Sequence, residues 1–194
     1  MSREPQRRLF FALWPDEGQR TALVQATGEA LRAGGGRAVP AAGLHVTLSF
    51  LGTVPEGRMA LLGTLARCIA AGFRHRQLPL AITFARLAYW AQPQVLVALE
   101  RAAAADAELS AVAALAGLLT RESVAAGFAP DLKPFQAHVT VARQVTHPPP
   151  LRDIRRVEWG FDEFALLDSR TMEKGPVYSV VESYLLASTE KART

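Results

Sequence analysis

Two short stretches that share one pattern decide the fold: Leu44-His45-Val46-Thr47-Leu48 and Ala137-His138-Val139-Thr140-Val141. Each places a histidine and a threonine two residues apart among alternating apolar residues, and in a strand the side chains at i and i+2 point to the same face. One face of each strand therefore carries His and Thr, and the other faces a core. Two copies supply two imidazoles and two hydroxyls, enough for a general acid, a general base and donors to an oxyanion.

The segments before the two motifs also match each other. The apolar run at residues 9–13 (LFFAL) predicts a buried strand, and Asp16 with Gln19 forms a capping-box pattern that starts a helix ending at glycines 34–36. The strand with the first motif follows at residues 44–51. Residues 95–99 (VLVAL), an alanine-rich helix at 103–126 and a strand at 137–142 repeat that order about 90 residues later. Two such units facing each other across a pseudo-two-fold axis would bring both His-Thr faces to one cleft.

The remaining elements are predicted from periodicity and from glycine and proline positions. They are a helix at 56–71, a strand at 78–89, a proline-rich excursion at 144–156, and strands at 157–167 and 178–187.

Composition places the chain among soluble globular proteins. It has 194 residues, 49% of them hydrophobic, and 22 Lys plus Arg against 18 Asp plus Glu give a net charge of +4. The excess favours anionic partners but is too small to identify nucleic-acid binding by itself.

The single cysteine, Cys68, excludes a disulfide framework and is expected to be a small buried residue. The N-terminal stretch has neither a cleavage site nor enough apolar residues to span a bilayer, so we expect a cytoplasmic protein that does not contact membranes. The sequence has no coiled-coil pattern, and we expect a monomer.

The other two histidines are expected to be solvated bystanders. His75 lies in a basic stretch and His147 in the proline-rich excursion. Neither His-Thr motif has a carboxylate or a second histidine at metal-ligand spacing, so the sequence predicts no metal and no other cofactor.

These motifs resemble those of the 2H phosphoesterase superfamily, and most closely those of the RNA 2′,3′-cyclic phosphodiesterases, also called 2′-5′ RNA ligases. The resemblance runs through RLFFAL at 8–13, GLHVTLSFLG at 43–52 and FQAHVTVAR at 135–143 to a weaker tail at 164–186. It covers nearly the whole chain, so residues 1–194 are expected to form a single bilobal domain. Ala137 replaces the proline that usually precedes the second histidine of the family.

The resemblance implies an α+β fold in which two antiparallel sheets, related by a pseudo-two-fold and flanked by helices, surround a central cleft. It also implies metal-independent hydrolysis of an RNA 2′,3′-cyclic phosphate end, or of a nucleoside 2′,3′-cyclic phosphate, to a 2′-phosphomonoester. His138 would be the proton acceptor from water and His45 the proton donor to the leaving oxygen, although the sequence alone does not fix that direction. Thr47 and Thr140 would donate hydrogen bonds to the non-bridging oxygens.

Two further residues have open roles. Arg143 could clamp a phosphate, but a residue three after Thr140 lies on the opposite strand face unless the strand ends or bulges, so a surface ion pair is the alternative. Phe50 could stack on a base or could pack in the core.

Other functions fit the same motifs. One is a 2H phosphodiesterase or ligase that acts on small cyclic nucleotides or on 2′-5′ linkages. Another is a non-catalytic RNA-binding module that retains the cleft. Loss of either motif histidine would favour the binding module, and both histidines are present.

Overall fold

The computed structural model describes residues 4–73, 80–100, 110–147, 152–173 and 175–186. These ranges hold strands β1 (Gln6–Leu13), β2 (Arg37–Ala38), β3 (Val46–Pro55), β4 (Leu80–Trp90), β5 (Val95–Glu100), β6 (His138–Arg143), β7 (Arg152–Phe161), β8 (Glu163–Met172) and β9 (Gly175–Leu185), and helices α1 (Glu17–Gly34), α2 (Met59–Phe73) and α3 (Ala111–Ala125). Short 3-10 turns at Ala41–Gly43 and Glu56–Arg58 precede β3 and α2. No helix within the described residues is long and apolar enough to cross a membrane.

The strands form two antiparallel sheets with corresponding orders. The first sheet has the order β3-β1-β8-β9, and the second has β6-β5-β4-β7 with the short strand β2 added beyond β6. The unit β1-α1-β3 therefore matches β5-α3-β6, and each His-Thr strand pairs with the apolar strand that begins its unit. The predicted α+β fold with two related sheets and flanking helices is confirmed.

Each sheet buries one face against the helices and turns the other towards the cleft. In β1, Leu9, Phe11 and Leu13 belong to the main core, while Phe10 and Ala12 join a small separate cluster with two residues of β8. A similar small cluster lies on the second sheet. The helices cover the main core because α1 packs on β7, α3 packs on β3, and α2 packs on α3 and β9. The strict alternation in β1 thus separates core residues from those that support the cleft.

The start of α1 forms as the sequence predicts. Asp16 accepts a hydrogen bond from the Gln19 backbone nitrogen at 2.8 Å, and the Gln19 side chain accepts one from the Asp16 nitrogen at 3.0 Å. Gly35 ends the helix in a left-handed conformation with φ of 62°, which glycine adopts without strain.

Several predicted boundaries are wrong. Helix α3 begins at Ala111, after the cap Ser110, instead of at residue 103; residues 103–109 lie outside the described ranges. Strand β7 starts at Arg152 inside the expected proline-rich excursion, and the single strand expected at 157–167 is two strands that turn at Asp162. The alternation of apolar and charged residues in β7 is interrupted between Asp153 and Val157, where the pairing with β4 is irregular. Cys68 is exposed on α2, contrary to the expectation that it is buried.

Candidate active site

Both His-Thr motifs open into one cavity of about 590 Å³ between the two sheets. The first sheet contributes His45 and Thr47, and the second contributes His138 and Thr140. The predicted meeting of the two motifs is therefore present in the structure. The other lining residues come from both sheets and the adjoining loops: Arg8, Phe10, Val39, Gly43, Phe50, Pro93, Asp131, Arg143, Ser169, Thr171, Pro176 and Tyr178.

A β-bulge follows the threonine of each motif. In β3 the pairing with β1 shifts so that Leu48 has no partner, and in β6 the pairing with β5 shifts so that Val141 has none. A bulge inserts one residue and so reverses the faces of the residues that follow it. The two motifs share one burial pattern, in which the half-buried His and Thr are followed by two buried residues and then by a half-buried one.

The bulges place Arg143 and Phe50 on the cleft face of their strands. Each residue lies three positions after the threonine of its motif, and each lines the same cavity as that threonine. Arg143 is therefore on the cleft face, because the strand bulges at Val141. Phe50 occupies the equivalent position on the first sheet, where it packs against the small cluster of Phe10 and Ala12 and also lines the cavity.

Each imidazole is held in the same way. Nδ1 of His45 lies 2.8 Å from the carbonyl oxygen of Gly43, and Nδ1 of His138 lies 2.8 Å from the carbonyl oxygen of Gln136. A carbonyl can only accept, so Nδ1 carries the proton in both rings and donates it. In the neutral ring Nε2 is then the proton acceptor, and in the cation it is the proton donor, so either ring can serve as base or acid.

The two rings differ in their surroundings. His45 lies among three aromatic rings, with ring centroids 5.1 Å from Phe10, 5.9 Å from Trp14 and 4.8 Å from Tyr178. His138 contacts Trp90 at 4.5 Å. Aromatic side chains therefore cover more of the His45 ring than of the His138 ring.

These surroundings lower the pKa of both histidines. The pKa of His45 is lowered from 6.5 to about 4, chiefly by burial; the hydrogen bond to Gly43 opposes this shift, and the charges of Arg143, His138 and Arg20 add to it. Burial also lowers the pKa of His138, again opposed by its backbone hydrogen bond. Removing a cation from water disfavours the charged form. Both rings are consequently neutral near pH 7 in the unliganded protein.

Two cleft residues were not singled out from the sequence. Arg8 places its guanidinium carbon 4.9 Å from the centroid of the Phe50 ring, and the Tyr178 hydroxyl lies 3.5 Å from Nη2 of Arg143. Arg8 directly precedes the LFFAL strand, and its alternation with Phe10 could have placed it on the cleft face. Tyr178 could not have been placed, because its position depends on the pairing of β9 with β8.

The other two histidines are not part of the described cavity lining. His147 is exposed and contacts Thr146, while His75 lies outside the described residues. In the described part of the chain, no group of three or more His, Cys, Asp or Glu residues gathers where it could hold a metal ion.

No protein-family model matches the chain. An RNA 2′,3′-cyclic phosphodiesterase of Thermus thermophilus is 34% identical over 194 residues, which covers 92% of this chain and 90% of that protein. The chain belongs to the RNA 2′,3′-cyclic phosphodiesterase family. A second RNA 2′,3′-cyclic phosphodiesterase, from Geobacillus stearothermophilus, is 30% identical over 77% of this chain and 48% of its own length.

Solved structures support the same family fold. TT0787 of T. thermophilus is 30% identical, with a TM-score of 0.74 over 94% of this chain and 99% of its own. The crystal structure of E. coli LigT complexed with 3′-AMP superimposes with a TM-score of 0.79 over 95% of this chain and all of its own, at 23% identity. The fold of these two structures thus extends over nearly all of this chain.

Proposed function

We propose that the protein hydrolyses 2′,3′-cyclic phosphates at RNA ends to a 2′-phosphomonoester and a free 3′-hydroxyl, without a metal ion. The observation that carries this proposal is the single cavity into which two His-Thr pairs open, each imidazole with its Nδ1 held by a backbone carbonyl. The two curated relatives carry the name of this activity.

The reaction needs two proton transfers on opposite sides of phosphorus. His138 takes a proton from water through Nε2 while the water oxygen bonds to phosphorus in line with the 3′ oxygen. The bond from phosphorus to the 3′ oxygen breaks, and His45 gives that oxygen a proton through its own Nε2. Two imidazoles on facing sheets suit this arrangement, since one can be neutral while the other is charged.

The role of His45 as the acid depends on its protonation in the complex with substrate. A cation with a pKa of about 4 gives up its proton to an alkoxide more readily than an ordinary imidazolium. The same value leaves His45 mostly uncharged in the free protein. The anionic phosphate of a bound substrate favours the cation and so raises the pKa of His45 within the complex.

The other cavity residues handle charge and position. Thr47 and Thr140 donate hydrogen bonds to the non-bridging oxygens, where negative charge is held in the transition state. Arg143 offsets that charge from the position that its bulge provides, close enough to His45 to lower the pKa of that ring. Phe50 is our candidate contact for the terminal nucleoside, because it lines the cavity beside Thr47.

The test is product analysis with purified protein. With adenosine 2′,3′-cyclic phosphate in excess EDTA, ³¹P NMR should show adenosine 2′-phosphate as the only product. His45→Gln and His138→Gln should each lose about 10²- to 10⁴-fold in turnover, the usual contribution of an acid or base.

The matched control is His147→Gln, which changes an exposed histidine outside the cavity and should retain full activity. Loss of turnover in EDTA with recovery on adding zinc or manganese would overturn the metal-free mechanism. A 3′-phosphate product would overturn the assignment of the leaving oxygen.

A further inference from the structure

A second cavity continues from the catalytic cavity along the first sheet. It has a volume of about 520 Å³ and shares Arg8, Ser169 and Thr171 with the catalytic cavity. The two cavities adjoin at these three residues, so a polymer that enters the catalytic cavity can continue past Arg8 into the second cavity, which we call the groove.

Three polar side chains lie next to one another across this groove. Arg8 of β1 is paired with Thr53 of β3, and Leu9 is paired with Asp168 of β8, so Ser169 lies beside Arg8 on its other side. Paired residues of antiparallel strands project from the same face of a sheet, with Cβ atoms about 5 Å apart. Thr53, Arg8 and Ser169 all line the groove. The sheet therefore presents a guanidinium between two hydroxyls.

The Arg8 guanidinium is available to a ligand. Arg8 is exposed, and no carboxylate of the described residues lies within salt-bridge distance of it. Its contact is the Phe50 ring, with the guanidinium carbon 4.9 Å from the ring centroid. A ring beneath a guanidinium restrains it while leaving its N–H groups free to bind an anion.

The acidic residues of the groove do not cancel this charge. Asp168 is buried, and its Oδ2 accepts from Arg7 Nη2 at 2.8 Å and from Arg170 Nε at 3.3 Å. Glu56 is exposed and also lines this groove. Three arginines against two carboxylates leave a net charge of +1 along the lining.

We propose that Arg8, flanked by Thr53 and Ser169, binds the phosphodiester immediately 5′ of the terminal nucleotide and so makes the enzyme prefer an RNA strand to a mononucleotide. This proposal rests on the proposed function, because it takes the cyclic phosphate to lie between His45 and His138. Arg143 then serves the reacting phosphate, and Arg8 serves the next phosphate along the chain. A fork of donors beside hydroxyls suits the two non-bridging oxygens of a phosphodiester.

The experiment compares two substrates, adenosine 2′,3′-cyclic phosphate and the dinucleotide ApA that ends in a 2′,3′-cyclic phosphate. Arg8→Gln should lower kcat/KM on the dinucleotide about tenfold, mostly through KM, the usual effect of losing one charge-assisted hydrogen bond near solvent. On the mononucleotide the same variant should lose at most about threefold, because no internucleotide phosphate is present to be bound. Arg8→Lys should recover part of the dinucleotide preference, and Arg32→Gln, on an exposed arginine in the last turn of α1, should behave as wild type.

A neutral linkage isolates the contact. Replacing the phosphodiester of the dinucleotide by a neutral methylphosphonate should lower the kcat/KM of the wild type. The decrease should equal the one that Arg8→Gln causes on the natural dinucleotide. The two changes together should cost no more than either alone, since both remove one interaction. The proposal would be overturned if Arg8→Gln lowered kcat/KM equally on the mononucleotide and the dinucleotide. It would also be overturned if the effects of Arg8→Gln and of the neutral linkage on kcat/KM were additive.

A failure of the proposed function would be seen separately. If the wild-type protein hydrolyses neither substrate, calorimetric binding of ApA carrying a terminal 2′-phosphate replaces turnover as the readout. If the wild type binds this ligand about tenfold more tightly than Arg8→Gln, the contact between Arg8 and the phosphodiester is supported even though the protein is not catalytic. Equal affinities would refute the contact.

Discussion

The pH dependence of kcat/KM should have its maximum below pH 6.5. This parameter reports the free enzyme, in which the pKa of His45 is lowered to about 4 and that of His138 is lowered from 6.5. A bell-shaped profile peaks midway between its two apparent pKa values, which belong to the coupled pair. Since both values lie below 6.5, so does their mean.

The lowered pKa of His45 sets the fraction of free enzyme in which this ring is charged. At pH 7, three pH units above a pKa of 4, about one molecule in a thousand carries a charged His45. Relative to an ordinary histidine, the charged form is disfavoured by about 3 kcal/mol. On the alkaline side kcat/KM should fall tenfold per pH unit. The kcat profile should lie at higher pH, because the bound phosphate anion raises the pKa of His45.

Arg143→Gln gives a second measurement of the same effect. The guanidinium charge of Arg143 lowers the pKa of His45, the more strongly lowered of the two histidines, so its removal should move the acid limb of kcat/KM to higher pH while the maximum falls. The assay is initial-rate hydrolysis of adenosine 2′,3′-cyclic phosphate from pH 3 to 9 at constant ionic strength. A wild-type kcat/KM maximum at or above pH 7, or an unmoved limb in the variant, would refute the reasoning.

Three further predictions concern hydrogen bonds and stability. Thr47→Val and Thr140→Val keep the side-chain shape but remove a donor, so each should lower kcat about 100-fold with an unchanged melting temperature; unchanged kcat would remove that threonine from the mechanism. As the pH falls from 7 to 4, His45 should lower the unfolding free energy of the wild type by about 3 kcal/mol. In the unfolded chain His45 takes up a proton near pH 6.5, whereas in the folded protein it does so only near pH 4. His45→Gln should lack that component in urea titrations, and parallel loss in both proteins would contradict the lowered pKa. Asp168→Asn should destabilise by about 2 kcal/mol, since a buried carboxylate shared by two arginines loses its charge. Asp131→Asn, which breaks an exposed pair with Lys133, should cost less than about 1 kcal/mol, and equal costs would show that burial of Asp168 adds nothing.

Short-range patterns predicted much of the site. The spacing of His45 to Thr47 and of His138 to Thr140 fixes which side chains share a strand face, and the duplicated order of strand, helix and strand fixes that the faces meet. The capping box of Asp16 and Gln19 was predictable because all of its partners lie within four residues.

Pairing between distant strands accounts for what the sequence did not predict. The bulges at Leu48 and Val141 arise from register with β1 and β5, so the face occupied by Arg143 could only be left open. Strand β7 is likewise set by its pairing with β4. Exposed Cys68 shows that an apolar stretch in a helix need not be buried throughout, because only one side of α2 faces the core.

The matching bulges also bear on the direction of the reaction. The two halves present the same imidazole, hydroxyl and backbone hydrogen bond, so these groups alone do not determine on which side of the phosphate the water attacks. The fifth residue after each histidine breaks this equivalence, because it is Phe50 in one half and Arg143 in the other. A charge on one side only, together with the aromatic side chains around His45, makes the two imidazoles differ in pKa. In a cleft made of two equivalent halves, the asymmetry of catalysis then depends on a few side chains and not on the fold.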